Sequence, residues 1–410
     1  MTTHSLKTVS LPAGASRTRQ TYDSVARLAE RLGPEARLPT FAELREQLSV
    51  SVVTLNRALA ELETHKVLYR RHGVGIFVSP SLGQKNIAVV CNPRFFEGPE
   101  ISPFWKILVE QAQGHMKVLH HAFSLHFAAP DSAAAPFEEA FRRSVQDRQI
   151  QGVLGVGLSP SAVAWIAEQN IPLVVFAGHA PHRVDIDNHR IVTLGVQRLA
   201  DLGCRRIGLW LNHYPADMPA DFWRHPETLR ESPLIAPYRE ALAERGLVFD
   251  PALIRDSRVP LSGAAGPPPA TFWEQGYQTA LSVFGQEDTN SLTPDGIVSP
   301  SELFTQGIIV GLQRLGVSLG TDIHLASHAN ESSPILQPWA DEITILEVSP
   351  AQLARTMLEM LEVQMTKRTN KAGHDTDEKG PTESLISLPL KVRTPNRESP
   401  TISRFQRSEE

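Results

Sequence analysis

Residues 37–78 read RLPTFAELREQLSVSVVTLNRALAELETHKVLYRRHGVGIFV, and this stretch decides the fold of the N-terminal part of the chain. It contains two amphipathic helical patterns in succession, and each begins at a hydroxyl side chain suited to capping a helix, Thr40 and Ser51. Two short strands follow, VLYRR and GIFV, around the turn HGVG, whose glycines tolerate positive φ. Residues 17–32 place a further amphipathic helix upstream. This order predicts a helix-turn-helix with a β-hairpin wing.

Charge is distributed unevenly along the chain. Residues 1–80 contain 11 basic and 7 acidic side chains, a net charge of +4, whereas the whole chain of 410 residues carries -5, which leaves -9 for the remainder. A basic N-terminal domain on an acidic body is typical of a DNA-binding domain joined to a domain of another kind. In the hairpin, Arg70, Arg71 and His72 are placed to meet phosphates and the minor groove, and Gly73 allows close backbone approach.

The ordered set Leu-Pro-Thr, Val-Ser, Arg-Ala-Leu, Leu-Glu and Gly-x-Gly-x-Phe-Val in residues 37–78 resembles the winged helix-turn-helix of the GntR family of bacterial transcription regulators. The resemblance implies DNA contacts at Ser51, Thr54, Asn56, His72 and Gly73. The residue types and their positions in the helices and hairpin add Thr40, Arg57, Arg70 and Arg71 as candidate DNA contacts. Thr40 and Ser51 are helix caps first, and for Arg57 and Arg70 a solvated surface role is equally consistent with the pattern.

Three positions depart from the family's usual residues. Ala42, Val52 and Asn56 stand where family members usually carry arginine. Arginine is the commonest bidentate reader of guanine, whereas valine can contact only a thymine methyl. The expected operator therefore differs from the family's usual one.

Beyond the wing, apolar β-branched runs alternate with amphipathic helical segments. One such series covers about 87–210 and a second about 225–365, which predicts a two-lobed α/β body with parallel sheets. The expected domains are 1–80 for the winged helix-turn-helix, 81–86 for a linker and 87–393 for the effector-binding and dimerisation body. A mobile loop is expected at 366–383 and a disordered tail at 394–410. Two proline- and aromatic-rich stretches, 212–233 and 262–273, look like insertions near the mouth of the cleft.

The body resembles the effector domain of the LacI family, which shares the periplasmic-binding-protein fold. The segments that carry this resemblance include IPLVVFAG, DGIVSPSELFTQGIIVGLQRLG and the closing SLPLKVR. It implies a sugar-like small molecule clamped between the lobes. The expected effector contacts are Phe104, Trp105, Asp187, Ser301, Glu302 and Asn330. Capping or loop hydrogen bonds are an equal alternative for Asp187, Glu302 and Asn330, and packing between the lobes is an alternative for Phe104 and Trp105.

Other functional classes have weaker support in the sequence. Some GntR-type heads precede a pyridoxal-phosphate aminotransferase-like body, but that body requires a Schiff-base lysine, and no lysine stands between residues 118 and 365. Catalytic triads, metal-ligand spacings and phosphate-binding loops are not evident, so we expect no enzyme activity and no cofactor. Cys91 and Cys204 match no metal or redox spacing. We expect a cytoplasmic homodimer that binds double-stranded operator DNA and a small effector, with no membrane association.

Overall fold

The computed structural model describes residues 17–97, 100–129, 136–214, 230–259, 269–285, 293–371 and 384–395. The chain forms two compact units that divide after residue 86, except that residues 117–122 group with the first unit. In the described part of the chain, none of the helices has the length and apolar character needed to cross a membrane.

The first unit begins with the helices predicted from the sequence. These are α1 (Arg17–Leu32), α2 (Phe41–Leu48) and α3 (Val52–Thr64). Helix α2 ends at Leu48 and is capped by Ser49, which takes the left-handed conformation at φ 49°, and α3 begins at Val52. Their buried faces meet around Leu44, Leu55 and Leu59, which form one apolar core with α1. The short turn and this shared core fix α3 relative to α2.

The wing is a hairpin extended by a third segment. Strands β1 (Leu68–Arg71) and β2 (Gly75–Val78) pair antiparallel, with Leu68 opposite Val78. Residues 35–38 join the outer edge of β2, because the Leu38 N–H donates to the Ile76 carbonyl and the Val78 N–H donates to the Ala36 carbonyl. The tip depends on Gly73, whose φ of +70° is costly for residues with a side chain.

The second unit contains the remaining helices and strands. In chain order they are β3 (Asn86–Cys91), α4 (Pro103–Val118), β4 (Ala122–Phe127), α5 (Glu139–Gln146), β5 (Gly152–Val156), α6 (Pro160–Glu168), β6 (Leu173–Phe176), β7 (His182–Ile186), α7 (Asn188–Asp201), β8 (Ile207–Leu211), α8 (Ile235–Glu244), β9 (Ile254–Asp256), α9 (Phe272–Phe284), β10 (Gly296–Ser299), α10 (Glu302–Arg314), β11 (His324–Asn330), β12 (Thr344–Val348), α11 (Pro350–Lys371), β13 (Ser384–Leu388) and β14 (Lys391–Arg393).

These strands form two six-stranded sheets, which confirms the predicted α/β body. The first sheet has the order β13-β7-β6-β5-β3-β4 and the second β14-β12-β11-β10-β8-β9. Neighbours from β3 through β5, β6 and β7 to β13 are parallel, as are those from β9 through β8, β10 and β11 to β12. Strand β14 runs antiparallel to β12. Apolar clusters cover both faces of each sheet, as parallel sheets require.

The strands are not divided between the sheets as the sequence predicted, with one series forming the first lobe and the next series forming the second. The sequence pattern placed the β8 segment at the end of the first series, but β8 lies in the second sheet, and β13 returns to the first. Helix α11 also packs on the first sheet, where Leu353, Met357 and Leu361 join its core. Local apolar patterns identify strands but carry no information about which sheet a strand joins, so this crossing was not predictable.

Some boundaries also differ from the prediction or fall outside the described residues. Helix α11 continues to Lys371, so residues 366–371 of the predicted loop are helical. Lysine and arginine favour helices as well as loops, which explains this misassignment. The rest of that loop, 372–383, lies outside the described residues, as do 396–410 of the predicted tail and residues 215–229 and 262–268 of the two predicted insertions.

Two substitutions in α3 should separate its buried face from its outer face. Leu55→Ala removes a fully buried side chain and should lower the free energy of unfolding of the first unit by about 2–5 kcal/mol. Val53→Ala shortens a side chain that is 75% exposed, so it should change this free energy of unfolding by less than about 0.5 kcal/mol. Differential scanning calorimetry of the full chain measures both. Equal losses for the two variants would contradict this orientation of α3.

Candidate functional site

The start of α3 presents polar groups that the helix itself uses. The Ser51 hydroxyl accepts a hydrogen bond from the Thr54 N–H at 3.1 Å, and the two side-chain hydroxyls lie 2.8 Å apart. Asn56 and Arg57 follow on the exposed face of the helix. Ser51 and Thr54 therefore order the helix start, while Asn56 and Arg57 point their polar groups away from the core.

Thr40 caps α2 in the way the sequence predicted. Its N–H and its hydroxyl both donate to the Glu43 carboxylate, at 2.7 and 2.8 Å, and its hydroxyl oxygen accepts from the Glu43 N–H at 3.4 Å. These hydrogen bonds, first from the backbone of Thr40 and then from its side chain, hold the pKa of Glu43 below its usual value. This capping box anchors the helix that precedes α3.

The wing holds its two arginines differently. The Arg71 guanidinium lies over the Phe77 ring at 4.9 Å and donates to the Tyr69 hydroxyl at 2.9 Å. Arg70 instead forms an ion pair with Glu63 of α3. Arg71 is thus ordered by contacts with aromatic side chains, which do not neutralise its positive charge. The charge of Arg70, in contrast, is partly compensated by the Glu63 carboxylate.

His72 and Gly73 form the exposed tip of the wing. A Cβ built on Gly73 would meet open space, so only its positive φ selects glycine there. This surface combines backbone that can approach a ligand closely with ordered positive charge. Its chemistry suits a phosphate-bearing polymer.

In the body, several predicted effector residues serve helix starts. The Asp187 carboxylate accepts from the Arg190 N–H at 2.8 Å at the start of α7, and the Ser301 hydroxyl accepts from the Phe304 N–H at 3.5 Å at the start of α10. These contacts explain both residues as caps.

Glu302 and Asn330 are buried and bonded to each other. The Asn330 side-chain amide donates to Glu302 at 2.8 Å, and the Asn330 backbone N–H donates to the same carboxylate at 3.1 Å. Burial raises the pKa of Glu302, and these hydrogen bonds oppose the rise. The Oδ1 atom of Asn330 is buried without a hydrogen-bond partner among the described residues. The pair therefore holds one unused acceptor.

Phe104 and Trp105 lie in the core of the first sheet. They are 5% and 8% exposed, and the Trp105 ring stacks on the Phe95 ring with centroids 4.0 Å apart. Phe104 packs against Phe176, with centroids 5.5 Å apart. Their apolar packing accounts for the aromatic pair without a ligand.

A cluster that the sequence did not reveal connects the two sheets. Tyr214, just beyond β8, contacts Phe95 beyond β3 at 6.2 Å between ring centroids and Phe272 of α9 at 4.5 Å. The Arg94 guanidinium lies 5.7 Å from the Tyr214 ring. Arg94 and Tyr214 each lie three residues beyond the carboxyl end of a parallel strand, the region where open α/β sheets bind ligands. That rule, applied to every strand, would have named them.

Glu100 provides a polar contact between the same parts of the body. Its carboxylate accepts from the backbone N–H groups of Phe272 at 2.6 Å and Trp273 at 3.1 Å, at the start of α9. Burial raises the pKa of Glu100, while the two hydrogen bonds act in the opposite direction. A carboxylate at a helix N-terminus also meets the positive end of the helix dipole. No local sequence signal marks a contact between residues so distant in the chain.

Metal and thiol chemistry find little support in the described residues. Among them, no group of three or more histidine, cysteine, aspartate or glutamate side chains is placed to hold a metal ion. Cys91 and Cys204 are buried and free, and burial raises the pKa of each thiol to about 12. Burial also lowers the pKa of His328 to about 4, so this histidine is neutral at physiological pH.

Comparison with known proteins identifies the two parts of the chain. Residues 21–78 match the family described as bacterial regulatory proteins, gntR family, and residues 196–383 match the periplasmic binding protein-like domain. The histidine utilization repressor of Pseudomonas aeruginosa is 44% identical over 59 residues, 14% of this chain. The chain spans about a quarter (24%) of the length of this curated relative.

Solved structures match the body over most of their length. A regulatory protein of the LacI family from Chloroflexus aggregans is 16% identical and has a TM-score of 0.54, over 75% of this chain and 97% of that protein. The transcription regulator CcpA of Lactococcus lactis is also 16% identical and has a TM-score of 0.51, over 76% of this chain and 100% of that protein. Such identities show the fold alone.

The chain therefore carries a winged helix-turn-helix of the gntR type followed by a two-sheet domain of the periplasmic-binding-protein type, as the sequence predicted. The gntR family and the two solved structures are described as regulators, in agreement with the expectation of no catalytic activity. The alternative of a pyridoxal-phosphate aminotransferase-like body is not supported, because the body matches a different domain.

The two wing arginines provide a test of the DNA-binding surface. We expect Arg71→Ala to weaken DNA binding and to lower the slope of log K against log salt by about 1, the change predicted for the loss of one phosphate contact. Arg70→Ala should have a smaller effect, because Glu63 already compensates its charge. Fluorescence anisotropy with duplex DNA at several salt concentrations measures both slopes. A larger effect of Arg70→Ala would show that the wing contacts DNA in another way.

The Glu100 contact can be tested by hydrogen exchange. Glu100→Ala should accelerate amide exchange at Phe272 and Trp273 by about ten- to a hundredfold, since hydrogen bonds to a charged acceptor contribute about 1.5–3 kcal/mol. Glu97→Ala, at a nearby exposed position, is the matched control and should change neither amide. Unchanged exchange in Glu100→Ala would mean that this carboxylate does not hold the start of α9.

Proposed function

We propose that this chain is a DNA-binding transcription regulator, acting as a repressor, whose operator affinity is controlled by a sugar-like small molecule bound between the two lobes of its body. One observation carries the proposal. The chain combines a capped recognition helix and a basic wing with a two-sheet body. In that body, Tyr214 and Glu100 both contact Phe272 at the start of α9.

The DNA-binding half rests on the head. The start of α3 presents Asn56 and Arg57 outward, and the wing presents Arg71, His72 and Gly73. In winged helix-turn-helix proteins, a helix of this kind enters the major groove and the remaining contacts position it on the backbone. Ser51, Thr54 and Thr40 contribute by ordering the helix starts, and Arg70 contributes less directly. The P. aeruginosa relative, 44% identical over 59 residues, is a repressor by name.

The effector half rests on polar and aromatic groups near strand ends. Asn330 retains a buried amide oxygen without a partner among the described residues, and an amide oxygen accepts hydrogen bonds from hydroxyl groups. A carbohydrate offers many hydroxyl donors together with apolar ring faces that stack on aromatic side chains. Tyr214 is partly exposed and is therefore better placed for such stacking than Phe104 or Trp105, which would support it through Phe95. Asp187, Ser301 and Glu302 complete the proposed polar surface.

The mechanism follows from this arrangement. A cytoplasmic homodimer would present two heads to a pseudo-palindromic operator, so that protein symmetry matches DNA symmetry. Effector binding would stabilise one arrangement of the lobes and change operator affinity by a coupling free energy of about 1–3 kcal/mol. Arg94, Glu100 and Tyr214 join the lobes in the described structure and are the contacts that a change of lobe arrangement would alter.

The experiment is a titration of the full chain into labelled DNA from upstream of its own coding sequence, at two salt concentrations, with and without a panel of sugars. We expect salt-sensitive binding that one sugar changes by about 5- to 150-fold. Tyr214→Ala should retain DNA binding and reduce the response to that sugar by about tenfold, a loss of about 1.4 kcal/mol. Val248→Ala, at an exposed position of the body, is the control.

The outcomes separate the two halves of the proposal. Specific DNA binding that no sugar affects would contradict the effector assignment and leave the DNA-binding assignment intact. Absence of specific DNA binding would contradict the proposal as a whole.

A further inference from the structure

The outer face of α3 exposes two apolar side chains at its first turn. Val52 is 45% exposed and Val53 is 75% exposed. Within residues 17–86, the other exposed large apolar side chain is Val74, at the wing. The buried face of α3 is formed by other residues, Leu55, Ala58, Leu59 and Leu62. Val52 and Val53 therefore contribute little to the core of the first unit.

Local structure does not require valine at these positions. Valine is β-branched and is a weaker helix former than alanine or the long unbranched side chains. Ser51 and Thr54 already provide the hydrogen bonds of the helix start. A single exposed valine on a protein surface is ordinary. Val52 and Val53 are adjacent, and they lie at the end of α3 that is nearest the bases in a helix-turn-helix. Two exposed apolar side chains at this place favour a ligand with an apolar group.

The major groove of DNA offers such a group in one base. Thymine presents its C5-methyl there, whereas guanine, adenine and cytosine present hydrogen-bonding groups. Asn56 lies one helical turn beyond Val52 and Val53 on the exposed surface, and an asparagine amide pairs with the N6 and N7 atoms of adenine. The exposed face of α3 thus combines an apolar contact for thymine with a polar contact for adenine.

We propose that Val52 and Val53 form a methyl-reading patch that selects thymine in each half-site of the operator, beside an adenine read by Asn56. This inference rests on the proposed function, since it assumes that α3 enters the major groove. The basic head, with a net charge of +4 over residues 1–80, favours DNA over a protein partner as the occupant of this face.

The test begins with selection of preferred sequences from a random duplex library by the full chain. Each thymine of the selected half-site is then replaced singly by uracil, which removes only the C5-methyl. We expect about a fourfold loss of affinity at one or two positions in each half-site, the effect of one buried methyl group.

The valine variants assign these positions to α3. Val53→Ala and Val52→Ala should bind the thymine duplex about fourfold more weakly and should no longer distinguish thymine from uracil at the position each contacts. Val248→Ala, in the body, should retain the full effect of uracil. Val53→Ala keeps the fold because its side chain is exposed, so weaker binding cannot be attributed to unfolding.

The failures of this inference and of the proposed function are distinguishable. If no sequence is enriched in the selection, the proposed function fails. If a sequence is enriched but uracil has no effect, or both valine variants retain the full effect, the methyl-reading patch is overturned while DNA recognition stands. If in addition Val53→Ala shifts the oligomeric state in sedimentation, the patch is a contact between protein chains.

Discussion

The backbone N–H groups at the start of a helix need acceptors, and this requirement shapes both candidate sites. Thr40 and Ser51 satisfy it for the two helices of the helix-turn-helix, which fixes the surface that α3 exposes. At α9 part of the requirement is met by Glu100, which lies between β3 and α4 and accepts from the first two amides of the helix. Acceptors for N-terminal helix N–H groups therefore order the start of α3 and also connect the two halves of the body.

The sequence predicted those features that depend on neighbouring residues. The caps, the hairpin and its glycine turn, and the apolar runs of most strands were all identified, because each is set within a few residues. Features that depend on distant contacts were not. The assignment of β8 and β13 to their sheets has no local signal, and neither does the contact of Glu100 with α9. The Phe104 and Trp105 pair has a ligand-like pattern, but Phe95 and Phe176 enclose it in the core.

Two opposing effects act on the Glu100 carboxylate in the contact between the sheets. Burial raises its pKa, and the hydrogen bonds from Phe272 and Trp273 oppose that rise. A ligand that binds one arrangement of the lobes more tightly than the other can favour or break such a contact. This property suits the proposed regulator, in which an effector shifts the arrangement of the lobes and, with it, the affinity of the head for DNA.

A direct measurement of this coupling does not require the effector. Glu100→Cys and Trp273→Cys in one chain, joined by a short bismaleimide, would hold the start of α9 against the loop of residue 100. Cys91 and Cys204 are buried with thiol pKa values of about 12 and would not react readily. The account predicts that bridged and unbridged proteins differ in affinity for the selected DNA by about 5- to 150-fold. Equal affinities would contradict control of the head by the lobes.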